Sequence, residues 1–288
     1  MQSSQASEPV ASWTVIVPYY NEREYLPATV ESLCGQTLRP FELILVDNAS
    51  SDGTREVIEG VLQRLRPQSV RVRHAFAAKP GKIHALNEGL RLTETRFVAL
   101  CDADTHYPAD YLSRADALLR SHPEAAAALA IGISGPPRSP PARLARAKGA
   151  LVGALLARQC HTGGFGQAFS TERLRQAGGF DADRWPYVLE DHEIMHRVAK
   201  LGRLRYGYAH YCAPSSRRGN RKSVDWTLTE RLLYHLTPLA HRDWFFYRFL
   251  GPRLAARGAV NQALRSQPWR GAADQAGASK ASAEIETD

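Results

Sequence analysis

The stretch that decides the fold is Phe97-Val98-Ala99-Leu100-Cys101-Asp102-Ala103-Asp104-Thr105-His106-Tyr107. Its first five residues form an unbroken apolar run, the pattern of a short strand buried on both faces. The run ends abruptly in two carboxylates one residue apart. Such a pair is costly beside a buried strand unless a positive group lies against it. Residues i and i+2 of an extended chain point the same way, so both carboxylates can reach one ligand. A hard divalent cation, Mg²⁺ or Mn²⁺, fits: it takes one or two carboxylates and completes its shell with water and phosphate oxygens. A solvated Asp-rich turn is the plainer alternative.

Working outward, the first half of the chain alternates. Strands are expected at Trp13 to Val17, Leu43 to Val46, Val70 to Phe76 and Phe97 to Cys101. Helices are expected at Glu24 to Gln36, Thr54 to Arg66, Lys82 to Thr93 and Ala109 to Ser121. That order predicts an α/β fold, a mostly parallel central sheet with helices on both faces. Further on, Ala125 to Ile133 suits a strand, and the Pro-rich residues 135 to 141 form a loop. A helix then runs to about Arg158, His161 to Gly166 is a Gly-rich loop, and Glu190 to Lys200 is helical. There is no internal repeat.

The totals narrow the class. At 288 residues, 44% hydrophobic and 23% charged, the chain can build a real core. The net charge of +8 is uneven: residues 217–270 carry 11 Lys/Arg against 3 Asp/Glu. Four scattered cysteines (Cys34, Cys101, Cys160, Cys212) read as reduced core residues of a cytoplasmic protein. The first residues lack a signal-peptide pattern, and no apolar stretch nears the ~20 residues of a membrane span. Nucleic acid has no place in this reading, and the sequence carries no sign of oligomeric state.

Polar residues gather after the strands. Asp47 can accept from a base N–H or a ribose hydroxyl, whereas Asp52 or Ser51 can cap the next helix. Lys79-Pro80-Gly81-Lys82 opens a helix, where Lys82 is either a diphosphate contact or a solvated lysine. Neither a Walker A loop nor Gly-x-Gly-x-x-Gly is present. His192-Glu193-Ile194-Met195-His196 matches the His-Glu-x-x-His zinc-protease pattern, but Ala199 stands where metzincins need Gly.

Six motifs in order carry a resemblance. They are Val17-Pro18-Tyr19-Tyr20-Asn21-Glu22, Val46-Asp47-Asn48-Ala49-Ser50-Ser51-Asp52-Gly53-Thr54, Gly81-Lys82-Ile83-His84-Ala85-Leu86-Asn87-Glu88-Gly89, Asp102-Ala103-Asp104, Gly178-Gly179-Phe180-Asp181 and Glu190-Asp191. Over about residues 13–205 the chain resembles the inverting family 2 glycosyltransferases of the GT-A fold. The resemblance implies a Rossmann-like GT-A domain at 12–212, with a basic loop and C-terminal helices at 213–270. Disordered ends are expected at 1–11 and 271–288. It implies a nucleotide-diphosphate sugar donor, a UDP-sugar for preference. Pro18, Tyr20, Asn21 and Glu22 would line the nucleoside pocket, and Asp47 with Asn48 would meet the base. Lys82 would lie near ribose or diphosphate. Asp102 would face ribose and metal, Asp104 would ligate Mg²⁺ or Mn²⁺, and Asp191 would be the base. Gln-x-x-Arg-Trp and the membrane helices of processive synthases are missing from the sequence, which favours transfer of one sugar.

Inverting transfer itself calls for such a base: the attacking hydroxyl loses its proton as the bond forms, which needs a carboxylate in reach. A helix N-terminus would keep Asp191 ionised. Glu190 can cap or bond the acceptor, and Gly163 and Gly164 let backbone approach donor or acceptor. Arg217 and Arg218 belong either to a lid over the diphosphate or to a solvated run. Asp225 to Arg257, rich in arginine and aromatics, is either an interfacial helix on anionic lipid, at the inner face of the membrane, or a helix packed on the domain. The acceptor is then a glycan or a lipid. The other class of reading is a catalytically silent nucleotide-sugar binder on the same fold.

Overall fold

A computed structural model describes residues 11–215 and 227–262. Its first half alternates as expected: β1 (Trp13–Tyr19), α1 (Leu26–Cys34), β2 (Phe41–Asp47), α2 (Thr54–Leu65), β3 (Val70–Phe76), α3 (Lys82–Leu92) and β4 (Phe97–Leu100). Then come β5 (Thr105–His106), α4 (Tyr111–Arg120), β6 (Ala125–Gly132), α5 (Pro140–Leu155), β7 (Gln167–Ser170), α6 (Thr171–Gln176), α7 (Glu190–Leu201) and β8 (Arg203–Pro214). The C-terminal part adds α8 (Leu228–Leu236), a π-helical segment Trp244–Leu250 and α9 (Gly251–Ala256).

The strands form one eight-stranded sheet in the order β3-β2-β1-β4-β7-β6-β8-β5. β3, β2, β1 and β4 are parallel, and β7 enters antiparallel between β4 and β6. β1 is buried throughout, so its side chains divide by strand alternation. Trp13, Val15, Val17 and Tyr19 join one core with α1, α2 and α4; Ile16 joins the opposite core with α3 and α7. Each fully buried Val, Leu or Ile contributes about 1.5–3 kcal/mol, so these two layers hold the sheet rigid beneath its carboxyl edge.

Two features aim chain at that edge. Gly89 of α3 faces Ile16, and an added Cβ would lie 2.5 Å from the Ile16 Cγ2. The helix can therefore press close against β1, which sets Lys82 at its first turn over the strand ends. On the other side, Leu100 pairs with Gln167. The Gly-rich loop 161–166 thus arrives next to Cys101 and Asp102.

Departures from the sequence reading lie in the second half. The helix after the Pro-rich loop stops at Leu155 rather than near Arg158. β7 and β8 were not expected; β7 has only four residues, and β8 runs from Arg203 to Pro214. In the C-terminal region Phe245 and Phe246 are fully buried, in a third core with Trp185, Val188 and Tyr234. These two rings follow the packed alternative, while Trp244 is 51% exposed. Among the described residues no helix is long and apolar enough to cross a membrane.

Candidate active site

Asp102 and Asp104 follow β4 and are both buried. The positive group that their position requires is the Lys82 ammonium, 2.6 Å from Asp102 Oδ1 and 4.0 Å from Glu190 Oε1. The acidic turn is braced from behind. Thr29 Oγ1 donates to the carbonyls of Ala103 and Thr105, and the Ser215 N–H donates to the Asp104 carbonyl at 2.9 Å. The Asp102 N–H donates to the Tyr107 hydroxyl, 2.8 Å, which donates to the Phe165 carbonyl, 2.7 Å. The acidic turn and the Gly-rich loop are thereby joined.

Glu190 and Asp191 open α7, whose preceding residue Leu189 is left-handed (φ 65°). Such a φ is uncommon for a branched side chain, and it turns the helix start toward the strand ends. Burial alone raises the Asp191 pKa. The His192 imidazole, 2.9 Å from Asp191 Oδ1, outweighs it together with Lys82 and the Gly164 N–H, and holds the carboxyl below its usual range. Burial pushes Glu190 the other way, up to about 7, with Lys82 opposing and Asp191 adding to the rise. Gly164 lies close to both groups: an added Cβ would lie 2.9 Å from Lys82 Nζ, which would have to shift, and 3.5 Å from Asp191 Cβ. An added Cβ on Gly163 would lie 2.9 Å from the Phe165 ring.

Pro18, Lys82, Asp102, Gly164, Gln167, Glu190 and Asp191 share the wall of a cavity of about 10 Å³, room for one water. Residues from β1, α3, β4, the Gly-rich loop and α7 therefore converge. This is the carboxyl end of parallel strands, where open α/β sheets hold ligands.

The nucleoside-side candidates are also buried: Tyr20, Asn21, Glu22, Asp47 and Asn48. Several have internal bonds. Asp47 Oδ1 accepts the Ser50 N–H, 2.9 Å. Asn48 donates to the carbonyls of Ala77 and Lys79 and accepts from the Gly81 N–H, 2.9 Å, so it shapes the loop that delivers Lys82. Asn21 Oδ1 accepts the Ser51 N–H, while its Nδ2 is buried with no hydrogen-bond partner. The Glu22 N–H donates to Thr54 Oγ1. Asp52 accepts the N–H groups of Thr54 and Arg23, the local turn role. Arg217 and Arg218 lie outside the described residues.

The donor set suits one hard cation. Asp102 and Asp104 are both buried carboxylates of the turn after β4, and Asp102 lines the cavity; no cluster of three or more His, Cys, Asp or Glu ligands occurs among the described residues. Mg²⁺ or Mn²⁺ completed by water and diphosphate needs no more than that pair.

The zinc-protease pattern resolves into separate partners. His192 serves Asp191; Glu193 accepts Arg197 Nε and Nη2 at 2.8 and 2.7 Å; His196 Nε2 lies 2.7 Å from Asp243 Oδ1. Sequence reasoning missed His192 as the neighbour of the candidate base, although it follows Asp191 directly. It also missed Gln167, whose Nε2 donates to the Asp191 carbonyl at 3.1 Å; one Gln in an unexpected strand gives no signal.

Comparison with known proteins bears on the family and the fold. A family model described as glycosyl transferase family 2 matches residues 14–170, more than half of the chain. Undecaprenyl-phosphate 4-deoxy-4-formamido-L-arabinose transferase of Serratia proteamaculans (strain 568) is 31% identical over 110 residues, 37% of this chain and 33% of that protein. The chain spans about a third of the length of the curated relatives it matches. Among solved structures, the mannosyltransferase PcManGT of Pyrobaculum calidifontis, in complex with GDP-Man and Mn²⁺, superposes with a TM-score of 0.60 at 23% identity. That superposition covers 97% of this chain and 76% of PcManGT. S. aureus TarS 1-349 in complex with UDP-GlcNAc gives a TM-score of 0.55 at 19% identity, over 94% of this chain and 79% of TarS. These structures show the fold, GT-A. By its sequence and its architecture, the chain belongs to glycosyl transferase family 2.

Proposed function

We propose that the protein transfers a single sugar from a nucleotide-diphosphate sugar to an acceptor hydroxyl, with inversion at the anomeric carbon and Asp191 as the base. One observation carries the reading: Asp191 is held ionised, in spite of burial, by His192, Lys82 and the Gly164 N–H, in the same cavity wall as Lys82 and Asp102. An ionised carboxylate is what the attacking hydroxyl needs to release its proton as the bond to carbon forms. Lys82 stabilises the negative charge that grows on the leaving diphosphate. Asp102 and Asp104 would hold Mg²⁺ or Mn²⁺, which when bound supplies further charge neutralisation to the diphosphate. Asn21, Asp47 and the loop after β1 form the nucleoside side. The solved neighbours carry GDP-Man in one case and UDP-GlcNAc in another, so the preference for a UDP-sugar is a matter for measurement. The domain limits 12–212 and 213–270 belong to the same proposal.

A second reading comes from Glu190, whose pKa near neutrality also suits a base. Both are tested by thermal shift and nucleotide release with UDP-, GDP-, dTDP- and CDP-sugars, with and without Mn²⁺. One donor class at 100 times its Kd should stabilise the fold by about 2.7 kcal/mol, and Asp104→Ala should abolish the Mn²⁺-dependent part. Asp191→Asn should keep the shift and lose about 10²–10⁴-fold in release. Shift without release in the native protein would make it a silent binder. An active Asp191→Asn beside a dead Glu190→Gln would hand the base to Glu190. No shift with any donor would overturn the proposal.

A further inference from the structure

Apolar exposure in this molecule is concentrated. Among the described residues, seven of the twelve large apolar side chains left exposed are leucines of two segments. Leu144, Leu151, Leu155 and Leu156 lie on α5 and its end; Leu228, Leu232 and Leu236 lie four residues apart on α8, 84%, 57% and 67% exposed. A spacing of four keeps the α8 leucines on one helix face. The two helices are tied together. The Gln159 amide donates to the His235 carbonyl at 3.1 Å, and His235 Nδ1 lies 2.9 Å from Gln159 Oε1. Leu155, Leu156 and Leu236 line one depression of about 380 Å³ with Arg158 and Arg203. Three of the seven exposed leucines therefore meet in one depression, and the others extend along the same two segments.

The charge around that surface has one sign. α5 exposes Arg143 and Lys148 and contains no acidic residue. The acid of α8, Glu230, is fully buried against Arg253 and Arg257 at 3.1 and 3.2 Å, so its charge is matched inside. Among the described residues, no carboxylate lines the depression. A symmetric contact with a second copy would set these cations against their own counterparts. Leucines beside cations, in a depression that no carboxylate lines, match the headgroup boundary of an anionic membrane.

We propose that the outward faces of α5 and α8 form one docking surface for an anionic bilayer. The leucines enter the acyl boundary, and Arg143, Lys148, Arg158 and Arg203 meet the phosphate headgroups. The surface adjoins the candidate active site. Tyr234 of α8 meets the His192 ring edge-on at 6.0 Å, and His192 contacts Asp191. If the transferase reading holds, on which this clause rests, the acceptor is carried by the membrane itself.

The test is sedimentation with phosphatidylcholine vesicles, with and without phosphatidylglycerol, at low and high salt. The native protein should bind the anionic vesicles and release as salt rises. The combined variant Leu151→Gln, Leu155→Gln, Leu232→Gln and Leu236→Gln should bind at least ~10-fold more weakly. Because those side chains are exposed, its Tm and any donor-induced shift should stay unchanged. Arg143→Glu with Lys148→Glu should also weaken binding. Three results would overturn the proposal: no binding, equal binding to neutral vesicles, or binding indifferent to the leucines. Self-association in sedimentation velocity that the leucine variant abolishes would assign the face to a second copy instead. The four native cysteines are buried, so a polarity-sensitive dye on Leu232→Cys reports this face. A blue shift only with anionic vesicles supports docking; a blue-shifted probe in buffer alone means another part of the chain covers the face, and the proposal fails. None of these arms depends on catalysis, so the surface and the transferase reading can fail separately.

Discussion

Two sites at the start of α7 handle buried carboxylates in opposite ways. At one, Glu193 accepts two bonds from Arg197 and a third, at 2.5 Å, from the Tyr247 hydroxyl. Geometry of that kind locks charge in place, binding helix to C-terminal region. At the other, Glu190 and Asp191 share Lys82 with Asp102, and Glu190 stands 4.0 Å from the ammonium. Proton affinities there are pulled apart: burial moves Glu190 upward, while His192 with Lys82 overcomes burial and moves Asp191 downward. Matched charge builds structure, and unevenly matched charge is available for chemistry.

Breaking the structural side should have the larger effect on stability. Arg197→Ala strands a buried carboxylate and should cost about 3–5 kcal/mol, read by chemical denaturation. Arg197→Lys keeps the charge and should recover part of it. An Arg197→Ala protein as stable as the native one would erase the contrast between the two sites. The next effect sharpens the other side. Glu190 has its ordinary value of 4.5 when unfolded and about 7 when folded. Below pH 4.5 both states hold the proton and nothing is lost. As pH rises from 4.5 to 7 the unfolded state releases it first, so stability falls, and the loss persists above 7. Glu190→Gln should therefore stabilise the protein by about 1–3 kcal/mol at pH 8 and leave it unchanged at pH 4. The smallest effect concerns His192. With His192→Phe, Asp191 loses a group that lowers its pKa, so the acidic limb of the rate profile should move to higher pH. Turnover at neutral pH should drop about tenfold. An unmoved acidic limb would mean that His192 only packs there.

How much could be read beforehand follows the same physics. β1 to β4 and their helices were legible because buried strands and amphipathic helices leave strong periodic signals, and parallel strands force the alternation. Lys82, Asp102 and Asp191 were legible as motif members. Their meeting was not, since it depends on Gly89 letting α3 approach β1 and on a left-handed Leu189. β7 is too short to announce itself, and Gln167 interrupts its apolar pattern. β8 does carry a two-residue period in Leu204, Tyr206, Tyr208, His210 and Cys212, but Gly207 and the arginines obscure it. The C-terminal aromatics left two readings open because composition says nothing of which way a ring faces: Phe245 and Phe246 point inward, Trp244 is half exposed, and the leucines of α8 lie on the surface.

The Tyr107 hydroxyl, accepting from the Asp102 N–H and donating to the Phe165 carbonyl, works as a ruler. Segments some sixty residues apart are held at a separation set by the length of one phenol. The spacing between the acidic turn and the Gly-rich loop is in that sense a single-residue trait.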